Sequence, residues 1–154
     1  MINDQRIKKV VSILNDSASL HKKIQGYYDD IITHLSSKPL QLIIEMECFF
    51  FHLMQGINNE DDEVFNRNLD KSKGHIEVLA LDTLKLLWIE IDKDLKHLVD
   101  NKSIKFEEYL KFKDISRESR KLEIDNLGKE KTIVLDSYIN TIEHGRLIIK
   151  KVID

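Results

Sequence analysis

Residues Asp4–Leu35, DQRIKKVVSILNDSASLHKKIQGYYDDIITHL, carry Ile7, Val10, Leu14, Ser17, His21, Ile24, Tyr28, Ile31 and Leu35 in alternating steps of three and four. A strand repeats its facing every second residue, so only a helix gathers these side chains into one stripe. Val11 and Ala18 widen the stripe beyond a strict two-per-heptad seam, which suits a helix lying in a bundle. The run stops at Ser36-Ser37-Lys38-Pro39, because the residue before a proline is pushed out of the helical region. Ser17 and His21 are the polar members of the stripe. Polar residues at such positions set register or partner choice, so both are expected at an interface. His21 reads first as a satisfied interior histidine.

Downstream, Leu40 to about Gln55 is apolar on nearly every face, including the run Phe49, Phe50 and Phe51. Such a helix has to be enclosed by other elements or by another subunit, and the three phenylalanines are the expected contact residues. Gly56 and Asn58-Asn59 close it. A third helix is predicted from the acidic cluster Asn59 to Glu63, which complements a helix N-terminus, with its strongest part from Ile76 to Val99. The polar stretch Asn66 to Gly74 is either an exposed first half of this helix or a short break ending at Gly74, and a break or kink is favoured because glycine costs ~1 kcal/mol inside a helix. Asp100 to Ser103 is a loop, with Ser103 as the expected N-cap of the next helix. The remainder, Ile104 to Ile153, is one helix or two. Lys113 to Lys121 within it is mostly charged and expected to face solvent, and Gly128 is either a glycine stop or an interior residue.

The expectation is an all-α, antiparallel bundle of four to five helices with long N- and C-terminal helices, forming a single domain over residues 1–154. Composition agrees. The chain of 154 residues is 42% hydrophobic with a net charge of −3, which favours a packed core over disorder. Five glycines and one proline are too few for a turn-rich sandwich or barrel. The lone Cys48 makes no internal disulfide, and no apolar run follows the first positive charges as in a signal peptide. Pro39 to Met54, interrupted by Glu45, Glu47 and His52, falls short of the ~20 residues that span a bilayer. A cytoplasmic protein without a membrane segment is expected.

Few residues suggest chemistry. A carboxylate-bridged metal pair needs Glu-x-x-His on two helices, and Asp94-x-x-His97 is a single near match. Glu45, Cys48 and His52 share a helical face, yet read better as a buried thiol with boundary neighbours than as a metal site. Neither a nucleophile elbow nor a phosphate-binding glycine loop is present, so no metal and no cofactor is expected.

The polar run FNRNLDKSKGHIE holds Arg67, Asn68, Lys71, Lys73 and His75, and an Arg beside a His can bind a phosphate and move a proton. At these residues the chain resembles the HEPN superfamily, helical bundles of bacterial defence and toxin–antitoxin systems. Its nuclease members carry an Arg followed a few residues later by a His, often with Asn directly after the Arg. Here Arg67-Asn68 fits the start, and His75 follows Arg67 after seven intervening residues, NLDKSKG. The resemblance implies a metal-independent ribonuclease or toxin with Arg67 and His75 as its catalytic pair and RNA as its substrate. Other members lack the pair and bind partners. Read from its residues, the chain is a non-enzymatic interaction module that self-associates or docks on a protein partner. The ribonuclease is the alternative.

Overall fold

The structure, a computed structural model, describes residues 3–127 and 131–153. It is all-α, a bundle of five helices with no strand among the described residues: α1 (Asp4–Leu35), α2 (Leu40–Ile57), α3 (Asp62–Asp100), α4 (Phe106–Asp125) and α5 (Thr132–Ile153). Side-chain contacts run in opposite directions along α2 and α3, α3 and α4, and α4 and α5, so these successive helices are antiparallel. The chain divides into two compact units at Thr83/Leu84, with α3 contributing its first part to one and its second part to the other.

In the first unit the N-terminal end of α1 is fixed twice. Asn3 caps it, its side chain accepting from the Arg6 amide at 2.9 Å. Arg6 is itself buried, and its guanidinium donates to Asp62 Oδ1 at 2.8 and 2.7 Å and to the carbonyls of Asn59 and Glu60. The same group lies 4.5 Å over the Phe65 ring. One cation thereby pins the first turn of α1 to the turn between α2 and α3. Ser36 ends α1 in the left-handed region at φ 53°. Ile24 and Ile31 from α1, Leu42, Phe49 and Leu53 from α2, and Phe65, Leu69, Ile76 and Leu79 from α3 fill the core. Each such side chain stabilises the fold by roughly 1.5–3 kcal/mol.

The α1 stripe is only partly used inside the unit. Ile24 and Ile31 are buried, whereas Ile7, Val11 and Leu14 are exposed. His21 is exposed too, not interior. Ser17 is buried, and its hydroxyl has no hydrogen-bond partner among the described residues.

The expected break before Gly74 does not occur, because α3 is continuous from Asp62 to Asp100. Asp61 accepts from the Val64 amide at its start. The polar stretch stays helical because its inward positions are apolar or satisfied: Phe65, Leu69 and Ile76 are buried, and Ser72 donates to the Phe49 carbonyl at 2.9 Å. Tertiary burial outweighs a glycine penalty of ~1 kcal/mol.

The second unit is assembled from α3 beyond Thr83, α4 and α5. The segment from Ile104 onward forms two helices, and Gly128 lies outside the described residues. Ser103 is not the N-cap of α4; that position is Lys105, and no side chain caps the helix. Gly145 allows α5 a close approach to its neighbours, since a Cβ there would overlap Ile91 of α3 and Phe112 of α4. The charged run of α4 also holds two buried serines. Ser116 accepts from Trp88 Nε1, and Ser119 joins Ser137 and Thr141 in a hydroxyl cluster.

Beside that cluster, Tyr138 donates to Glu123 Oε2 at 2.6 Å while Lys85 holds Oε1 at 2.9 Å. Burial pushes the Glu123 carboxyl upward, but the hydrogen bonds from Tyr138 and Lys85 and the charges of Lys85 and Arg120 outweigh it. The net effect holds Glu123 below its ordinary value. Burial, followed by the bond to Glu123 and its charge, raises the Tyr138 phenol well above its own. Lys85 thereby ties α3 to α4 through an ion pair.

Candidate functional site

Two features of the first unit concentrate what chemistry and recognition the chain offers, and both belong to α2. Its inner face is committed to α3. Phe49, expected at an interface, is a core residue, and its backbone carbonyl receives Ser72. Its outer face is not covered by the unit. Leu40, Ile44, Phe50, Phe51 and Met54 are 70%, 41%, 54%, 59% and 52% exposed. The pattern within that face is regular: Leu40, Ile44, Glu47, Phe51, Met54 and Asn58 follow one another in steps of four and three. This is the spacing of a coiled-coil seam. Phe50 flanks it, and Glu47, Phe50, Phe51, Met54, Gln55 and Asn58 line a shallow, open depression of about 540 Å³. By length and composition α2 could also cross a membrane. Its polar side counts against that use, being bonded to α3 at three levels.

That polar side is the second feature. Glu45, buried, accepts from Gln41 on one oxygen at 2.8 Å and from His75 Nδ1 on the other at 2.7 Å. The His75 ring stacks on His52 with centroids 5.2 Å apart and planes 8° from parallel. His52 Nδ1 in turn lies 2.9 Å from Asn68 Oδ1. Asn68 Nδ2 donates to the Val64 carbonyl, so its oxygen faces the imidazole and His52 carries its proton on Nδ1. With Nδ1 as the donor in each ring, Nε2 is the nitrogen not engaged in these two contacts. Positions 68 and 75 are seven apart on one helix, which returns them to nearly the same face.

Arg67 is not part of this string. It is exposed, and the continuous helix separates it from His75 by eight residues, roughly 12 Å along the axis. The structure joins His75 to Glu45 and His52, not to Arg67. Glu45 and His52 serve as partners for His75 and Asn68, and among the described residues no three His, Cys, Asp or Glu side chains converge as metal ligands. Cys48 lies half-buried on α2.

Sequence reasoning singled out Phe50, Phe51, His52 and His75 separately but missed the outer seam of α2 and the stacked histidine pair. The seam was hidden because every face of α2 is apolar, and a heptad stands out only against a polar background. The pair had one available signal. Spacing of three and four joins Glu45, Cys48 and His52, while spacing of seven joins Asn68 and His75, and antiparallel packing of α2 on α3 brings the two sets together.

In comparisons with known proteins, the chain matches no family model, no curated protein and no solved structure.

Proposed function

We propose that the chain is a non-enzymatic helical interaction module that binds a protein partner through the outer face of α2. A single observation carries this reading: four large apolar side chains, flanked by Phe50, are exposed on one face of one helix at the spacing with which helices pack on helices. Scattered exposed leucines are ordinary on any surface, but a contiguous stripe of phenylalanine, methionine and aliphatic residues costs solubility unless something covers it.

The test is association. In cross-linking and light-scattering measurements on the full chain, Phe51→Glu should abolish complex formation while leaving helicity and thermal midpoint unchanged, since Phe51 is exposed. Complexes formed equally well by this variant would overturn the reading.

One observation favours a second reading, a HEPN-like metal-independent ribonuclease acting on RNA. Glu45 fixes His75 in the tautomer that leaves Nε2 free to accept a proton, as a general base requires. Arg67, two turns away, would have to reach the same phosphate. Expression of the wild type and His75→Ala in bacteria separates the readings. A growth defect confined to the wild type supports the nuclease, and equal growth removes it.

A further inference from the structure

Resting on the reading of α2 as a docking face, we propose that its occupant is α2 of a second copy of this chain, packed antiparallel about a two-fold axis, with Glu47 setting the orientation. Spacing narrows the partner first. Leu40, Ile44, Glu47, Phe51, Met54 and Asn58 alternate between the two core positions of a heptad, and such knobs fit the four-residue holes of another helix. The partner is therefore helical and carries the same repeat.

The six positions are matched to their own inverse. Turned end for end about the level of residue 49, the seam sets Leu40 against Asn58, Ile44 against Met54 and Glu47 against Phe51 of the other copy. Every layer then pairs one kind of core position with the other, as antiparallel coiled coils require, and no seam residue overhangs. A two-fold axis relates the copies, so the contact closes as a dimer and does not propagate.

Charge chooses between the two directions. Parallel packing would set the two Glu47 carboxylates face to face in the middle of an apolar seam, where like charges in one layer strongly oppose association. Antiparallel packing places each carboxylate against a Phe51 ring and moves the two into different layers. α2 contains no Lys or Arg to neutralise them. Glu47 thus weakens both arrangements and weakens the parallel one more, as polar seam residues do when they specify orientation at a cost in affinity.

The area is sufficient. Aromatic side chains each bury 150–250 Å², so the exposed fractions of the five apolar residues amount to roughly 500 Å² per copy and about 1,000 Å² in a pair, where specific interfaces begin. This size fits micromolar, reversible association.

The full chain tests the proposal by light scattering across about 1–200 μM, with Glu47→Leu and Phe51→Glu alongside the wild type. We expect a concentration-dependent mass approaching twice 18.1 kDa. Glu47→Leu should tighten the dimer by at least tenfold, and Phe51→Glu should weaken it by at least a hundredfold with an unchanged circular dichroism melt. For orientation, Glu47→Cys and Phe51→Cys chains, each with Cys48→Ser, are mixed under oxidising conditions. Antiparallel packing gives the mixed disulfide as the main product. A predominance of Glu47→Cys homodimers would overturn it, as would a dimer insensitive to Phe51→Glu.

Monomeric wild type and monomeric Glu47→Leu at 200 μM would remove the second copy as occupant. If a different protein were then captured in a manner abolished by Phe51→Glu, the docking face would stand and only the self-pairing would fall. Flotation with phosphatidylcholine vesicles, abolished by the same substitution, would overturn both.

Discussion

Replacing Gly145 by alanine adds one methyl group where α5 lies close against α3 and α4, and the result depends on whether Ile91 and Phe112 can withdraw. The added Cβ would overlap Ile91 Cγ2 and lie 2.9 Å from Phe112 Cε2. Ordinary carbon contacts sit at about 3.5–4.0 Å, so both neighbours must retreat. Phe112 is fully buried and Ile91 nearly so, which leaves neither any solvent to move into. With two buried neighbours to displace, the overpacking cost falls in the upper part of the usual range, about 2–3 kcal/mol, offset by about 1 kcal/mol of helix propensity when alanine replaces glycine. The net expectation is a loss of about 1–2 kcal/mol. Urea denaturation followed by helical circular dichroism would read this as a midpoint lowered by roughly 0.5–1 M, at about 2 kcal/mol per molar.

A double-mutant cycle with Ile91→Ala isolates the clash. Ile91→Ala alone opens a cavity and destabilises by about 2–5 kcal/mol, but in its presence the methyl added by Gly145→Ala occupies vacated space. The two changes should therefore cost at least about 1 kcal/mol less together than their sum. Gly74→Ala is the control, because a Cβ there meets nothing within 4 Å; it should gain about 0.5–1 kcal/mol. If Gly145→Ala proves as stable as the wild type, or if the cycle is additive, the close approach of α5 to α3 and α4 is wrong.

Arg6→Lys should destabilise the chain by about 2–4 kcal/mol in the same assay, because an ammonium cannot supply the forked donors now meeting Asp62 and two carbonyls. Glu123, held below its ordinary value of 4.5, stabilises the fold fully above that pH, and the contribution fades as pH falls through the depressed value. Tyr138 runs the opposite way: raised above 10.0, its contribution is complete below pH 10.0 and fades above it. Thermal midpoints across pH should thus show a plateau between these limits. Glu123→Gln should flatten the acid limb, and an acid limb as steep as that of the wild type would contradict the assignment.

The exposed face of α2 and the polar string on its flank are linked through adjacent residues. Phe51 lies edge-on to His52, with centroids 5.4 Å apart, and His52 stacks on His75. Phe51 of the outer seam therefore packs against the His52 ring of the Glu45–His75–His52–Asn68 series. The inner face fixes α2 to α3 with polar bonds as well as apolar contacts.

Helix class and the end of α1 were legible from local rules acting within a few residues, whereas the number was narrowed only to four or five and the start of α4 was misplaced. The alternation of three and four over Asp4–Leu35 forces a helix because backbone geometry returns those side chains to one side, and Pro39 stops it by steric exclusion within a single residue. Local rules failed where long-range contact overrode them. Gly74 did not break α3, since Phe65, Leu69 and Ile76 are held by partners distant in sequence. Ser116 and Ser119 lie among charged neighbours yet are buried, because their hydroxyls meet Trp88, Ser137 and Thr141.

Amino-acid order alone determined that this protein is helical, because periodicity is a property of the chain. It could not decide which side of an all-apolar helix would face inward. Packing decided that: Ser72 and His75 of α3 meet Phe49 O and Glu45, turning Leu40, Ile44, Phe51 and Met54 toward solvent. A helix satisfies its own backbone, but the direction of its side chains is settled by the elements packed against it.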